Sequence, residues 1–387
     1  MLEKSKKILI LSTSYWPLMG GSETAIKEVT ARLPDCSFDL VTARLRADSL
    51  ATEQMGNLRI FRVGSGLNFF KFLLPKNFLP LAIFSLAQKL LKKERYALVH
   101  VFQASQAGGA AWLLKKTGWK IPIFLTLQEG QDLSRQNWLT KYFRAQIIKN
   151  ADCVTAISQY LMAYAKEITK NMSLKLIPNG VDLKNFSKEF SYGELSQLED
   201  DLGIRPGAKV IISTGRLVLK NGLDNLIRAL AILQNNYPAQ DWRLLLVGEG
   251  EEKENLSTLA NSLGAGNRIV FHGTVEQKEL SKYLKISHVF VRPSRSEGLG
   301  NSFLEAMAAG VPIIAPPVGG IPDFLTDRET GLFCDQESPE DIADKIKLVI
   351  DDDNLRKNMI KNAKSLVEEK YDWDKIAQEY RQLYETV

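Results

Sequence analysis

The chain is poor in the residues that staple or metallate a protein: 387 positions include 3 cysteines and 3 histidines. Cys36, Cys153 and Cys334 are odd in number and widely separated, so neither a disulfide framework nor a redox or zinc spacing is present. His100, His272 and His288 also stand apart, and no metal site is expected. Long apolar runs are missing too. The run at 8–11 is too short for a signal-peptide core, and no stretch approaches the roughly 18 apolar residues of a membrane span. These absences predict a reducing, cytoplasmic setting. Neither an internal repeat nor a low-complexity segment is evident, so a packed globular protein is expected.

Hydrophobic residues make up 45% of the chain, enough at this length to fill two cores. Strand-like runs alternate with helical patterns twice over, which predicts two doubly wound α/β domains. The first set of strands is read at 8–11, 39–42, 98–102, 121–127, 153–157 and 174–177. A polar stretch at 185–207, broken by Gly193 and by Pro206-Gly207, reads as a linker. The second set follows at 210–214, 243–247, 269–271, 289–291 and 311–315. The predicted domains are therefore 1–184 and 208–371, with a last amphipathic helix over 372–387 that carries Trp373, Ile376, Tyr380 and Leu383 on one face.

Glu297 and Glu305 stand eight positions apart around a glycine loop, Gly298-Leu299-Gly300, which leads into a short apolar helix. Glycines let a backbone approach a ligand closely, and Asn301 or Ser302 is suited to cap the helix. The helix N-terminus offers amides and partial positive charge to a phosphate, while ionised carboxylates accept hydrogen bonds from polyol hydroxyls. With Glu305 read on the first turn, both carboxylates face one ligand. Gly310 and Pro312 then stop the helix before a buried strand and Gly319-Gly320.

The spacing and its surroundings, Glu-Gly-Leu-Gly, Glu-Ala-Met-Ala-Ala-Gly-Val-Pro and Gly-Gly-Ile-Pro-Asp, resemble the E-x7-E motif of the group 1 (family 4) retaining glycosyltransferases. The resemblance covers essentially the whole chain and is strongest over 209–333. It implies an α/β protein of the GT-B fold, two Rossmann-like domains facing across a cleft. The donor, a UDP-, GDP- or ADP-sugar, would lie mostly on the second domain and the acceptor on the first. It also implies that the last helix packs back on the first domain. Glu305 would hold the ribose, Glu297 a hydroxyl of the transferred sugar, and Gly298, Leu299, Gly300 and Asn301 the rest of the loop around the donor. No cofactor or bridging metal is implied.

Other segments are weighed against the same resemblance. Gly215 to Gly222 resembles the family's Gly-Arg-Leu-x-x-x-Lys-Gly, so Arg216 is expected on the donor diphosphate. Asn221 stands where that lysine belongs, and Lys220, one residue earlier, is the substitute. Gly20-Gly21-Ser22-Glu23 follows the first strand, where the family sets a loop against the diphosphate; Glu23 would orient that loop or meet acceptor. His272 to Val275 ends another strand, where relatives hold the base with backbone atoms, and Val275 is the residue assigned there. Gln128 replaces a histidine that many relatives carry near the reacting centre. Glutamine cannot move a proton, so Glu129 is its candidate substitute, and His100 is either an acceptor-side residue or a buried structural one. Gly248-Glu249-Gly250 begins a dinucleotide fingerprint, but Lys253 occupies its third glycine position. The turn at Asn179-Gly180 is read as structural.

Charge is uneven. Residues 1–184 carry 26 Lys and Arg against 13 Asp and Glu, whereas the remainder carries 24 against 32. A basic half suits an anionic membrane or a phosphorylated acceptor, or is simply solubility charge that also attracts the donor; nucleic acid is not the expected partner. The segment 71–93 is leucine-rich, aromatic and bounded by lysines. It reads as a core-facing helix with Ile83, Phe84, Ala87, Leu90 and Leu91 on one side, or as a membrane-surface patch at the inner face of a membrane. The expected activity is transfer of a hexose to a glycan, lipid-linked or small-molecule acceptor. Its rivals are an epimerase or hydrolase on the same fold and a non-catalytic nucleotide-sugar-binding adaptor.

Overall fold

The computed structural model describes residues 6–18, 20–64, 75–169 and 173–387. Positions 71–74 of the lysine-bounded segment lie outside them. The chain forms two compact units, one of Met1–Asn179 with Trp373–Val387, the other of Gly180–Asp372.

The first unit is built on β1 (Lys7–Ser12), α1 (Gly21–Ala31), β2 (Ser37–Ala43), β3 (Thr52–Met55), β4 (Leu58–Val63), α2 (Pro75–Lys93), β5 (Leu98–Phe102), α3 (Gln106–Lys116), β6 (Ile123–Leu127), α4 (Trp138–Lys149), β7 (Cys153–Ala156), α5 (Gln159–Ile168) and β8 (Ser173–Leu176). Its sheet runs β3-β4-β2-β1-β5-β6-β7-β8, parallel except where β3 pairs with β4. Strands covered on both faces are continuous apolar runs, as in β1 and β5, where Ile8 faces Leu98 and Ile10 faces His100. The order reverses at β1, flanked by β2 and β5, and in open α/β sheets ligands bind beyond the carboxyl ends of strands at such a point. β3 and β4 escaped the sequence reading because β3, with Thr52, Glu53 and Gln54, is a polar edge and β4 carries an arginine on each face, Arg59 and the buried Arg62.

The second unit contains α6 (Leu183–Phe186), α7 (Tyr192–Asp201), β9 (Lys209–Thr214), α8 (Leu223–Asn236), β10 (Trp242–Val247), α9 (Lys253–Ser262), β11 (Ile269–Gly273), α10 (Gln277–Lys285), β12 (Val289–Val291), α11 (Asn301–Ala309), β13 (Ile313–Ala315), β14 (Leu332–Phe333), α12 (Pro339–Asp351) and α13 (Asp353–Lys370). Its sheet order is β11-β10-β9-β12-β13-β14, all parallel, and the reversal falls at β9. The stretch read as a linker is not bare. It holds α7, opened by a capping box between Ser191 and Glu194, and it belongs to this unit.

The last helix, α14 (Trp373–Glu385), buries Trp373, Ile376, Tyr380, Leu383 and Tyr384 in the first unit's core beside Phe38. Arg381 pairs with Asp35, and Arg32 donates to Asp374 at 2.6 Å. α2 turns Ile83, Ala87 and Leu90 into the same unit's interior, the core-facing alternative, and leaves Lys89, Lys92 and Lys93 exposed. No helix among the described residues is long and apolar enough to cross a membrane. Asp351-Asp352-Asp353 has the spelling of an Asp-x-Asp motif, but these residues serve the α12–α13 junction: Asp352 caps α13, while Asp351 and Asp353 pair with Lys347 and Arg356.

Candidate functional site

In the second unit the loops leaving β9, β10 and β12 lock together through glycines. A Cβ on Gly248 would overlap the carbonyl of Gly215, and one on Gly250 would overlap that of Leu217. Direct hydrogen bonds follow from this closeness: Gly215 N–H donates to Val247 O at 2.9 Å, Leu217 N–H to Glu249 O at 3.0 Å, and Gly248 N–H to Gly273 O at 2.7 Å. Gly248 and Gly250 are therefore places where this loop packs against the loop after β9. Gly222, with φ of 66°, lies against Pro293 O and starts α8.

Asn221 is buried, and its amide donates to Arg216 O at 2.7 Å. The residue that replaces the expected lysine thus holds the shape of the loop. Lys220 reaches inward instead, with Nζ 3.4 Å from Ser296 O and 3.8 Å from Glu297 Oε2. Burial lowers its pKa and the cations Arg292 and Arg216 add to that, with Glu297 opposing. An anion placed there would restore what burial removes. Arg216 is exposed at the rim.

Glu297 is 7% exposed. Its Oε1 accepts from Arg292 Nη2 at 2.7 Å and from Ser294 Oγ at 3.0 Å. Burial alone would raise its pKa, yet Arg292, Lys220 and Ser294 hold it below the ordinary carboxylate range, so it stays ionised. Arg292 is the residue that the sequence reading missed. Buried directly after β12, it also donates to Thr214 O at 3.1 Å and Ser302 Oγ at 2.5 Å, and its guanidinium lies 4.5 Å from the Phe303 ring centre. A cation in the inward register just beyond a buried strand was the available signal.

Gly300, at φ of 104°, is the N-cap of α11, and no side chain caps the helix. Asn301 and Ser302 are inside it, and Ser302 faces Arg292 instead. Counting from Asn301, Glu305 falls on the second turn and not the first. It is half-buried, receives one amide hydrogen bond from Gln277 at 3.4 Å, and burial pushes its pKa up to about 7 against the pull of Gln277 and Arg292. Gly298, Leu299 and Gly300 are buried, and a Cβ on Gly319 would overlap Glu297 O, so the Gly319-Gly320 turn braces the loop from behind. Val275 is half-buried beyond β11, while His272 pairs through Nε2 with Tyr283 Oη at 2.9 Å.

In the first unit, Gly20 caps α1 without a side-chain bond and Gly21 opens the helix. Glu23 is buried and accepts from Ser14 Oγ, with Oε2 2.8 Å from where a Gly20 Cβ would be. This bond ties the segment after β1 to the first turn of α1. Gln128 is buried and exchanges amide bonds with Asn179, at 3.2 and 3.0 Å, and Asn179 also reaches Gly21 O at 3.5 Å. Asn179 therefore links the glycine loop to the end of β6. Glu129 accepts from Ala104 N–H at 2.7 Å and Gln128 N–H at 2.9 Å and faces Arg144 at 3.8 Å, so its carboxylate holds backbone. His100 is fully buried between Tyr384 Oη and Thr126 Oγ1, each 2.7 Å away, and burial lowers its pKa to about 3. It is a neutral structural histidine.

Two family models match the chain: "Glycosyltransferase Family 4" over residues 19–185 and "Glycosyl transferases group 1" over residues 196–366. The D-inositol 3-phosphate glycosyltransferase of Corynebacterium jeikeium is 30% identical over 301 residues, covering 72% of this chain and 70% of that protein. A GDP-mannose-dependent alpha-(1-6)-phosphatidylinositol monomannoside mannosyltransferase of Mycobacterium tuberculosis is 32% identical over 234 residues, 58% of this chain and 60% of its own. Among solved structures, a sucrose-phosphate synthase from Thermosynechococcus elongatus superposes with a TM-score of 0.83 at 22% identity, over 98% of both chains.

Proposed function

The chain belongs to the group 1 glycosyltransferases, and on that premise we propose that it is a retaining, metal-independent enzyme that moves a hexose from a nucleoside-diphosphate sugar. One observation carries the reading: a buried, ionised Glu297 held by Arg292 and Lys220 beside the N-terminus of α11, with a half-buried Glu305 on the same helix. The carboxylates suit sugar hydroxyls, and the cations and helix amides suit a diphosphate.

In this reading Glu305 holds the ribose, Glu297 a hydroxyl of the transferred sugar, and Arg216 and Lys220 the diphosphate. Negative charge on the phosphate grows as the C1–O bond breaks, so the two cations act most strongly in the transition state. Of the acceptor-side candidates, His100 is enclosed and Glu129 already accepts two backbone N–H groups, so neither supplies a ready base. The acceptor oxygen then attacks C1 on the face that the diphosphate leaves, and its proton passes to the departing phosphate oxygen. The acceptor is a glycan, a lipid-linked glycan or a small molecule. The basic first half favours the lipid-linked class, as does the phosphatidylinositol-based acceptor in the name of the mycobacterial relative.

A panel of UDP-, GDP- and ADP-sugars, scored by thermal stabilisation and calorimetry, tests the donor site. One base should dominate, and Glu305→Ala should weaken that donor about tenfold or more, since a hydrogen bond to a charged group contributes about 1.5 to 3 kcal/mol. Unchanged affinity in a folded Glu305→Ala variant would remove the ribose role.

A further inference from the structure

We propose that the exposed half of α4 is a docking face for an anionic lipid bilayer. The proposal rests on the lipid-linked acceptor reading above and names the surface that would bring the enzyme to it. Trp138, Leu139, Tyr142 and Phe143 are 78%, 47%, 54% and 43% exposed. At 3.6 residues per turn these four side chains cover an arc of about 140°. The buried residues of the same helix, Arg144, Ile147 and Ile148, project on the other side. The helix therefore has two apolar faces, one already packed and one turned to water, and a globular protein gains nothing from the second by itself.

The face continues onto α3, where Trp112 meets the Phe143 ring edge-on at 6.2 Å between ring centres. Close packing at Gly108 against Ile147 and at Gly109 against Pro80 joins α4, α3 and α2 in one layer, and α2 adds Phe78 and Leu81, 53% and 49% exposed. Cations border it. Lys116 lies 6.0 Å from the Trp112 ring centre, and Lys141 and Lys149 are exposed on α4. Lys115 pairs with Asp152, whereas no carboxylate pairs with Lys116, Lys141 or Lys149 among the described residues.

Tryptophan, tyrosine and phenylalanine fringed by lysine suit the boundary between headgroups and acyl chains, where the rings bury carbon and the ammonium groups meet anionic lipid. A second copy would bring like charge against like, and a neutral oligosaccharide offers no counter-charge. The bilayer is the occupant that answers both the apolar arc and the excess of cations. With no spanning helix among the described residues, the attachment through this face is peripheral and salt-sensitive.

Flotation of the full chain decides the matter, using vesicles of equimolar phosphatidylcholine and phosphatidylglycerol without any acceptor, and pure phosphatidylcholine as the comparison. The wild type should float with the anionic vesicles at low salt and be released by high salt. A Trp138→Ser, Tyr142→Ser double variant should lose partitioning about tenfold or more, and Lys141→Glu should lose less, with melting temperature and donor affinity unchanged. Absence of wild-type flotation, equal flotation of the double variant, or loss in that variant of a dimer seen by sedimentation would each overturn the proposal. Failed flotation with intact transfer to a lipid-borne acceptor would sink the docking face alone. Retained flotation with transfer only to soluble acceptors would leave the face standing and refute the lipid-linked acceptor.

Discussion

At the scale of single residues, the proposed chemistry rests on a small set of charges, and their surroundings decide how each behaves. Arg216 is exposed at the rim while Lys220 is desolvated within it, yet both are assigned to a diphosphate whose charge grows as it departs. Arg216→Ala should therefore lower kcat more than it raises donor KM, and Lys220→Ala should act in the same direction. Steady-state kinetics of the two variants is the check, and wild-type activity in Lys220→Ala would show that this lysine does not reach the phosphates. Glu305 behaves in the opposite sense to Glu297. Its folded value of about 7 exceeds the ordinary 4.5, so the folded chain holds this proton more tightly than the unfolded one, and the residue costs stability as pH rises from about 4.5 to about 7. Ribose hydroxyls donate to the ionised form, so donor binding should release a proton near pH 7 and strengthen as pH rises through that value. Calorimetry in buffers of different ionisation enthalpy should detect the proton, and Glu305→Gln should abolish both effects. Glu297, Glu305, Arg216 and Lys220 were picked out in the sequence, and the structure places Lys220 beside Glu297, with Glu305 on the helix that follows. Arg292 was not singled out: its place just beyond a buried strand was the only hint, and that hint does not say that the guanidinium turns under Glu297.

Among elements, the loops beyond β9, β10 and β12 matter more than the strands that support them. Their glycines are places where two backbones touch, and that is invisible in a motif: Gly248 and Gly250 spelled the start of a nucleotide fingerprint and turned out to pack against Gly215 and Leu217. Gly222→Ala tests this account. The new Cβ would overlap Pro293 O at a φ of 66°, and the left-handed backbone alone costs about 1 to 2 kcal/mol. The melting temperature should fall and Lys220 should lose its place, so donor affinity should fall with it. An unchanged melting temperature would contradict the close approach. Periodicity found the buried strands and α14 because their apolar patterns are unbroken. It missed β3 and β4, where one edge is polar and the inner face is shared with arginine, and it took α7 for a linker because that helix buries none of its residues.

For the whole molecule, two doubly wound units, each with a sheet-order reversal, were readable from alternation alone, and the family's likeness spans both. The acceptor side was the less legible half. Its three candidates, His100, Gln128 and Glu129, were chosen by position at strand ends, and each proves to be engaged by neighbours within its own unit. That engagement supports the proposed proton transfer to the departing phosphate, and with it the proposed retention. The most direct test is the stereochemistry of the product. With an α-linked nucleotide sugar identified by the donor panel, proton magnetic resonance of the first-formed glycoside should show the anomeric signal of an α linkage. A β-linked first product would mean inversion, and would contradict the same-face attack and the transfer of the acceptor's proton to the departing phosphate.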